Sequence, residues 1–440
     1  MNQADIDACN RFLDEGEPDE AAAICNYHLN EDPDNPSALF NMARCLSMAA
    51  RYGLAATIYQ KMVNIVPQSS AAWNNLGYSY HCLGQLDRAE SMFNHAIGLD
   101  PENWDAVNNL CALMAARIRP AEALQYGSKA LSLAKTAAQR SMTLENMSMS
   151  YLGTGQWERG WDAYEHGLPG KFRRERQYAN EKRWDGTPAN KVVFYGEQGI
   201  GDEIMFGSIL PDALEDVDGI IECDRRLEGL FKRTFPQAVV HGTRFDKNIG
   251  WSSADISHRC AFGSLGRFYR RDALSFPRKA YLQTCPFRRR MYRALLDTLP
   301  GRKIGIAWTG GTKTTRTEHR SMGIDDVEML CARYPHISFV SLEYKDTGTP
   351  KGVHSFPFIT RTNDYDDTAA LVAELDGILS VTTAVALLAG AVGTECHVLV
   401  PSEPTWHWGY DGDMPWFPLR LHRKWEMDLI MGEIIGGKLS

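Results

Sequence analysis

Two hydrophobic patterns divide the chain. Through the first third, apolar and small residues recur at helical spacing, and the block repeats every 34 residues, the interval separating Pro33, Pro67 and Pro101. One block holds Trp73, Leu76, Gly77, Tyr80, Ala89, Phe93 and Ala96. One period earlier stand Leu39, Met42, Ala43, Leu46, Ala55, Tyr59 and Met62; one period later stand Val107, Leu110, Cys111, Met114, Ala123 and Ala130. Weaker blocks precede Pro33 and run over residues 144–167. From residue 191 the pattern changes. Short runs of β-branched and aromatic residues alternate with helical stretches. Residues 192–195, 218–223, 238–241, 303–308, 337–342, 352–356, 377–381 and 397–400 read as strands, and 255–258 as a short strand end.

The 34-residue block is that of a tetratricopeptide (TPR) array, a solenoid of helix–turn–helix units with a concave binding face. Asparagine recurs at one phase of it, at Asn41, Asn75, Asn109 and Asn146. Such a row either hydrogen-bonds the backbone of a bound peptide or serves the array itself. The array is assigned residues 1–170, followed by a polar and basic linker over 171–190. Strands alternating with helices predict a parallel sheet in each of two further domains, residues 191–290 and 300–425, with 426–440 as a tail. The fold class is therefore α plus α/β.

Candidate chemistry clusters where strands turn into helices. Residues 192–210 read as strand, glycine-rich turn and helix, with Gln198, Gly199 and Gly201 in the turn and Asp202 at the helix start. Open α/β sheets place ligands at such turns. Asp202 stands at that ligand position, or it merely caps the helix. The glycine spacing is not the dinucleotide fingerprint, so no nicotinamide cofactor is implied. In the second domain Thr382 and Thr383 open a helix after a strand, a place for a diphosphate. Gly310, Lys313, Arg316 and Arg320 lie in a loop able to supply charge, and Glu343 and Tyr344 follow a strand beside a base pocket or in the packing. Asp364, Asp366 and Asp367 read as caps of the following helix.

Composition narrows the choices. The net charge of −8 argues against a general nucleic-acid binder, and the basic runs 171–176 and 288–290 read as solvated faces. None of the ten cysteines forms a C-x-x-C pair, and no His/Cys set has zinc spacing, so reduced thiols and no metal are expected. Nothing at the N-terminus reads as a secretory signal; a cytoplasmic protein is expected. Residues 377–394 lack charge but hold three glycines and a Thr-Thr turn, so no membrane span is predicted there.

Taken together, the stretches at 196–206, 222–227 and 381–391, with Trp406-His407-Trp408 and residues 415–418, resemble bacterial TPR proteins that carry a glycosyltransferase domain. The catalytic part is similar to the heptosyltransferases and, more distantly, to the O-linked N-acetylglucosamine transferase. The resemblance covers about residues 2–425. It implies a GT-B fold of two Rossmann-like halves, acceptor side first and nucleotide-sugar side second. It implies Asp202 as general base and Thr382-Thr383 as holders of the donor diphosphate. It further implies an inverting, metal-independent transfer from a nucleotide-diphosphate sugar to an acceptor hydroxyl, the acceptor being a protein or peptide held by the TPR array. No cofactor beyond that co-substrate is expected, and a homo-oligomer is compatible because TPR faces often pair. Relatives often read Asp-Thr-Ala-x-Ala-His where this chain has Thr382 for the aspartate and Leu387 for the histidine. The alternative is a catalytically inactive TPR scaffold that binds protein partners.

Overall fold

A computed structural model describes residues 1–436 except 169, 171–172, 179–180, 190, 253–254, 312–316 and 347. The chain divides into two compact units, Met1–Ser150 and Tyr151–Ser440.

The first unit is a solenoid of antiparallel helix pairs. Helices α1 (Gln3–Glu15) and α2 (Pro18–Glu31), α3 (Pro36–Met48) and α4 (Tyr52–Ile65), α5 (Ser70–Cys82) and α6 (Leu86–Leu99), α7 (Trp104–Ala116) and α8 (Pro120–Leu133) succeed one another, and α9 (Ala137–Gly153) follows. The period is written into the ends of the helices. Asn35, Ser69 and Asn103 are side-chain N-caps of α3, α5 and α7, accepting from Ala38, Ala72 and Ala106 at 3.1, 3.3 and 3.1 Å. The turn inside each pair passes through a left-handed residue, in order Gly16, Ala50, Gly84 and Ile118. Ala43, Ala55, Ala89, Ala96, Ala123 and Ala130 are fully buried, so neighbouring helices approach closely around Tyr59, Phe93 and Leu110.

The second unit carries two all-parallel sheets. In the first, β1 (Lys182–Arg183), β2 (Val192–Tyr195), β3 (Gly219–Glu222), β4 (Val239–His241) and β5 (His258–Ala261) take the order β1-β5-β2-β3-β4. In the second, β6 (Arg302–Ala307), β7 (Ile337–Ser341), β8 (Val353–His354), β9 (Gly377–Val381), β10 (Cys396–Leu399) and β11 (Arg420–His422) take the order β11-β10-β9-β6-β7-β8. Helices α10 (Trp157–Tyr164), α11 (Ile200–Gly207), α12 (Leu210–Asp216), α13 (Glu228–Thr234) and α14 (Gly266–Tyr269) accompany the first, whereas α15 (Pro286–Leu296) packs against the second half, with Tyr292 on Asp367. Helices α16 (Ile324–Arg333), α17 (Pro357–Thr360), α18 (Tyr365–Val372), α19 (Ala384–Val392) and α20 (Met427–Gly436) accompany the second. Strands β2 and β9 are buried end to end and β6 along its last four residues, as parallel strands covered on both faces must be.

Three stretches differ from their reading in the sequence. Residues 182–183, placed in a linker, add an edge strand to the first sheet, because Lys182 and Arg183 pair in register with His258 and Arg259. Residues 427–436, placed in a tail, form α20, and its Ile430, Met431 and Ile434 join one apolar cluster with Leu379 and Leu399. The basic run 171–176 is not a solvated face at Arg173, which is 2% exposed. It donates to Tyr164 O at 2.7 Å and Ser264 Oγ at 2.9 Å and pairs with Glu197 at 3.2 Å. Its partners come from segments 9 to 91 residues away, which no local pattern reveals. The uncharged stretch 377–394 is β9, the Thr-Thr turn and α19, and no helix among the described residues is long and apolar enough to cross a membrane.

Candidate functional site

In an open parallel sheet, ligands bind beyond the strand C-termini where strand order reverses, because the loops there diverge to opposite faces. In the first sheet β2 has β3 on one side and β5 on the other, so that point lies between the turn after β2 and the turn after β5. The first turn carries Glu197, Gln198 and Gly199, and Gly263 N donates to Glu197 Oε1 at 3.1 Å across the gap. Gln198 Nε2 donates to Tyr164 Oη at 2.7 Å and to Glu197 at 3.2 Å. Arg173 lies 4.2 Å over the Tyr164 ring. A buried charge is thereby neutralised and hydrogen-bonded from several sides.

Asp202 is at the third position of α11, and its Oδ2 accepts from Gly199 N at 2.9 Å. It is a helix cap, as one reading of the sequence required. Burial pushes its carboxyl up to about 6, against the Gly199 N–H, with the charge of Glu197 assisting. Glu203, which sequence reading passed over, is 1% exposed. It pairs with Arg244, which also donates to Gln198 O. Its other oxygen accepts from Asp224 N at 2.8 Å. Burial drives the Glu203 carboxyl up to about 8, against the pull of Arg244. Arg244 thus ties the turn to the helix that follows it.

In the second sheet β6 has β7 on one side and β9 on the other, so the equivalent point lies between residues 308–311 and the Thr382-Thr383 turn. Arg320 spans it, donating from Nε to Thr382 Oγ1 at 3.2 Å and from Nη2 to Thr382 O at 2.9 Å. Gly310 N donates to Ser321 Oγ at 3.0 Å, and a Cβ on Gly310 would stand 2.3 Å from Arg320 O, so only glycine admits this crossing. Thr383 caps α19 with its backbone while its hydroxyl meets Ser380 Oγ at 3.1 Å. Glu343 is buried behind the loop, its Oε1 accepting from Trp308 N and Thr309 N at 2.9 and 2.8 Å; burial raises its carboxyl. It holds the loop and does not line a base pocket by that oxygen. Tyr344 is 47% exposed with Lys345 at 5.1 Å over its ring. Lys313 and Arg316 lie outside the described residues. His407, read in the sequence only as part of the Trp406-His407-Trp408 stretch, sits near Arg320; burial first, then that charge, lowers its imidazole to about 3.

The two turns meet. A Cβ on Gly201 would lie 3.2 Å from Leu387 Cδ1 and 3.3 Å from Ala384 Cα, so α11 and α19 pack start against start. Arg233 on α13 grips Asp366 on α18 through two bonds of 2.8 Å, fixing the halves beside the contact. Thus the first turn of α11, with Gly201 and Asp202, lies against the first turn of α19, which directly follows Thr382 and Thr383. Asp364 caps α18, accepting from Asp366 N at 3.0 Å, whereas Asp366 and Asp367 face Arg233 and Tyr292. Two surface cavities, of about 430 and 460 Å³, lie elsewhere, one against Arg289, Arg293 and Glu374, the other against Glu328, Met329 and Gly352.

The asparagine row takes a different place from a free binding stripe. Asn41 is buried, donating to Ser37 O at 3.2 Å and accepting from Arg44 at 3.1 Å. Asn75 donates to Tyr59 Oη at 3.2 Å. Asn109 donates to Asn74 at 2.9 Å and Asn146 donates to Asn108 at 3.1 Å, so the row bonds one repeat to the next. Asn74 and Asn108, one position earlier in each repeat, are its buried acceptors.

Comparison with known proteins fits the two-unit description. Tetratricopeptide-repeat family models match residues 12–76 and 70–103. Protein FlbA of Caulobacter vibrioides is 28% identical over 439 residues, covering 91% of this chain and 72% of that protein. The Protein CTR9 homolog of Arabidopsis thaliana is 31% identical over 97 residues, covering 22% of this chain and 9% of that one. Among solved structures, a thermophilic TPR protein of Thermus thermophilus is similar at 19% identity and TM-score 0.34, covering 38% of this chain and 91% of its own. MamA is similar at 18% identity and TM-score 0.32, covering 38% and 94%. The N-terminal unit carries tetratricopeptide repeats, and the second unit is a parallel-sheet α/β fold.

Proposed function

We propose that the Tyr151–Ser440 unit is a GT-B glycosyltransferase that moves a sugar from a nucleotide-diphosphate sugar to an acceptor hydroxyl with inversion, and that the TPR array holds the acceptor protein. The observation that carries this reading is the abutment of the two strand-end turns at Gly201 and Ala384. It supports the reading by setting the first turn of α11, which holds Asp202, against the first turn of α19. The acceptor oxygen attacks the anomeric carbon, the bond from that carbon to the diphosphate oxygen breaks with its electron pair on the diphosphate, and the acceptor proton passes to Asp202. Asp202 keeps one oxygen on Gly199 N and has Oδ1 for the proton. The α19 N-terminus and Arg320 offset the charge that develops on the leaving diphosphate, which is how a transferase proceeds without a bound metal.

A thermal-shift screen of the full chain against nucleotide diphosphates and nucleotide sugars tests the donor site. A true ligand at 100 times its Kd adds about 2.7 kcal/mol of apparent stability. One nucleotide is expected to give that shift, with Thr383→Val abolishing it. Asp202→Asn is expected to keep the shift and lose transfer. The absence of a shift with every nucleotide overturns the donor site and favours the second reading, a TPR scaffold that only binds proteins. A specific feature speaks for that reading: Leu387, where the glycosyltransferases it resembles often have histidine, is packed onto Gly201.

A further inference from the structure

At the outer edge of the second sheet, away from the strand ends just described, three side chains converge from three elements. Strands β10 and β11 are parallel, with His397 opposite Arg420 and Leu399 opposite His422. Side chains two apart on a strand share a face, so His397 and His422 are diagonal neighbours on one side of the sheet. That side is covered by α20, because Leu399 clusters with Ile430, Met431 and Ile434. Glu433 lies on the same helix. His397 Nδ1 stands 2.9 Å from His422 Nε2 and 3.8 Å from Glu433 Oε2, and the three ligand atoms lie within 4.8 Å of one another. We propose that His397, His422 and Glu433 form a zinc-type divalent-metal site that fastens the edge strand and the C-terminal helix to the sheet.

The donor set is that of zinc: two imidazoles and a carboxylate, with room in a tetrahedron for one water. Zinc–nitrogen bonds of about 2.0–2.1 Å at tetrahedral angles put two ligand nitrogens roughly 3.3 Å apart. The pair at 2.9 Å opens to that spacing by a few tenths of an ångström. His397 Nε2 faces Glu395 Oε1 at 3.4 Å. A carboxylate on the far nitrogen favours the tautomer with hydrogen on Nε2, leaving the Nδ1 lone pair for a metal. Arg420 faces the same acids, 3.3 Å from Glu395 and 3.9 Å from Glu433, and balances their charge when no cation is present. His397 is fully buried, and a neutral imidazole at the bottom of a polar notch is a strong ligand once desolvated. Spacing rules miss this set because its members are 25 and 11 residues apart on two strands and a helix, and only the fold assembles them.

The test uses the purified full chain, stripped with a chelator and dialysed, then titrated with Zn²⁺ alone against a chromophoric competitor. One equivalent is expected to bind and to raise the midpoint of thermal unfolding. His422→Gln and Glu433→Gln, at half-buried positions, are expected to weaken zinc binding at least 10-fold and to remove the thermal shift while the metal-free variants keep the wild-type circular dichroism. Co²⁺ loading is expected to give visible bands of a low-coordinate nitrogen/oxygen site without thiolate charge transfer. Equal zinc uptake by wild type and His422→Gln overturns the site, as does uptake accompanied by thiolate bands, which would assign the metal to cysteines. No uptake by the wild type also overturns it and leaves the two histidines as an N–H···N pair.

Discussion

Asp202 does two things at once, and the two pull on its proton in opposite directions. Capping α11 through Gly199 N favours the ionised form, while burial beside Glu197 favours the neutral one, and burial wins, with a pKa of about 6. A base poised there is stronger than a surface aspartate yet still ionised at neutral pH. The sign follows: below about 6 the carboxyl is protonated and cannot take a proton from the acceptor. Transfer is therefore expected to rise tenfold per unit as pH climbs from 4 to 6 and to level off above it, read as kcat/KM against pH. A profile flat from pH 4 to 8 would remove Asp202 from the reaction. The candidate base was visible in the sequence as an acid at a helix start. Its shifted pKa was not, because the burial that raises it, assisted by the charge of Glu197, is assembled only by the fold, Glu197 itself being held by Arg173 and Gly263 from other segments. Glu203 was missed for the same reason: one step along the helix from Asp202, only its pairing with Arg244 distinguishes it.

At the scale of elements, the TPR helices and the strands answer to different rules. A TPR helix pair meets mainly its neighbours, so its period, caps and small residues are legible residue by residue. The asparagine row shows where that legibility stops. Its phase is plain in the sequence, but whether the amides face a ligand or the next repeat depends on the angle between repeats. Here Asn109 and Asn146 turn to Asn74 and Asn108. Removing either acceptor leaves a half-buried amide N–H without its partner, which costs about 1–2 kcal/mol. Asn74→Ala and Asn108→Ala are each expected to lower the urea stability of the array by that amount. A change under about 0.3 kcal/mol in both would make the ladder incidental. In the second unit the strands were found as apolar runs, with ends within a few residues of those observed. The edge strands β1 and β11 were not, being two and three residues long, the first exposed and the second partly so, without an apolar run to mark them.

For the whole molecule, the chain contains two compact units with separate apolar cores, and unfolding is not expected to be a single transition. Nine of the eleven tryptophans lie in Tyr151–Ser440, while the helices of Met1–Ser150 contribute heavily to circular dichroism. Urea unfolding followed by tryptophan fluorescence and by circular dichroism is expected to give midpoints that differ, and a nucleotide ligand is expected to move the fluorescence curve more. Coincident curves, with and without ligand, would show one cooperative block. The amino-acid sequence by itself determined the repeat array and the run of strand, turn and helix in each half, because helical period, strand period and turn chemistry are short-range properties. It also singled out the Gly201-Asp202 and Thr382-Thr383 turns. Tertiary structure alone decided that these turns abut, that Arg320 is clasped to Thr382, that Arg173 is buried, and that His397, His422 and Glu433 share one notch. Each of those depends on strand order and on how sheets and helices pack, and residues far apart in sequence carry no local sign of the partner that burial will give them.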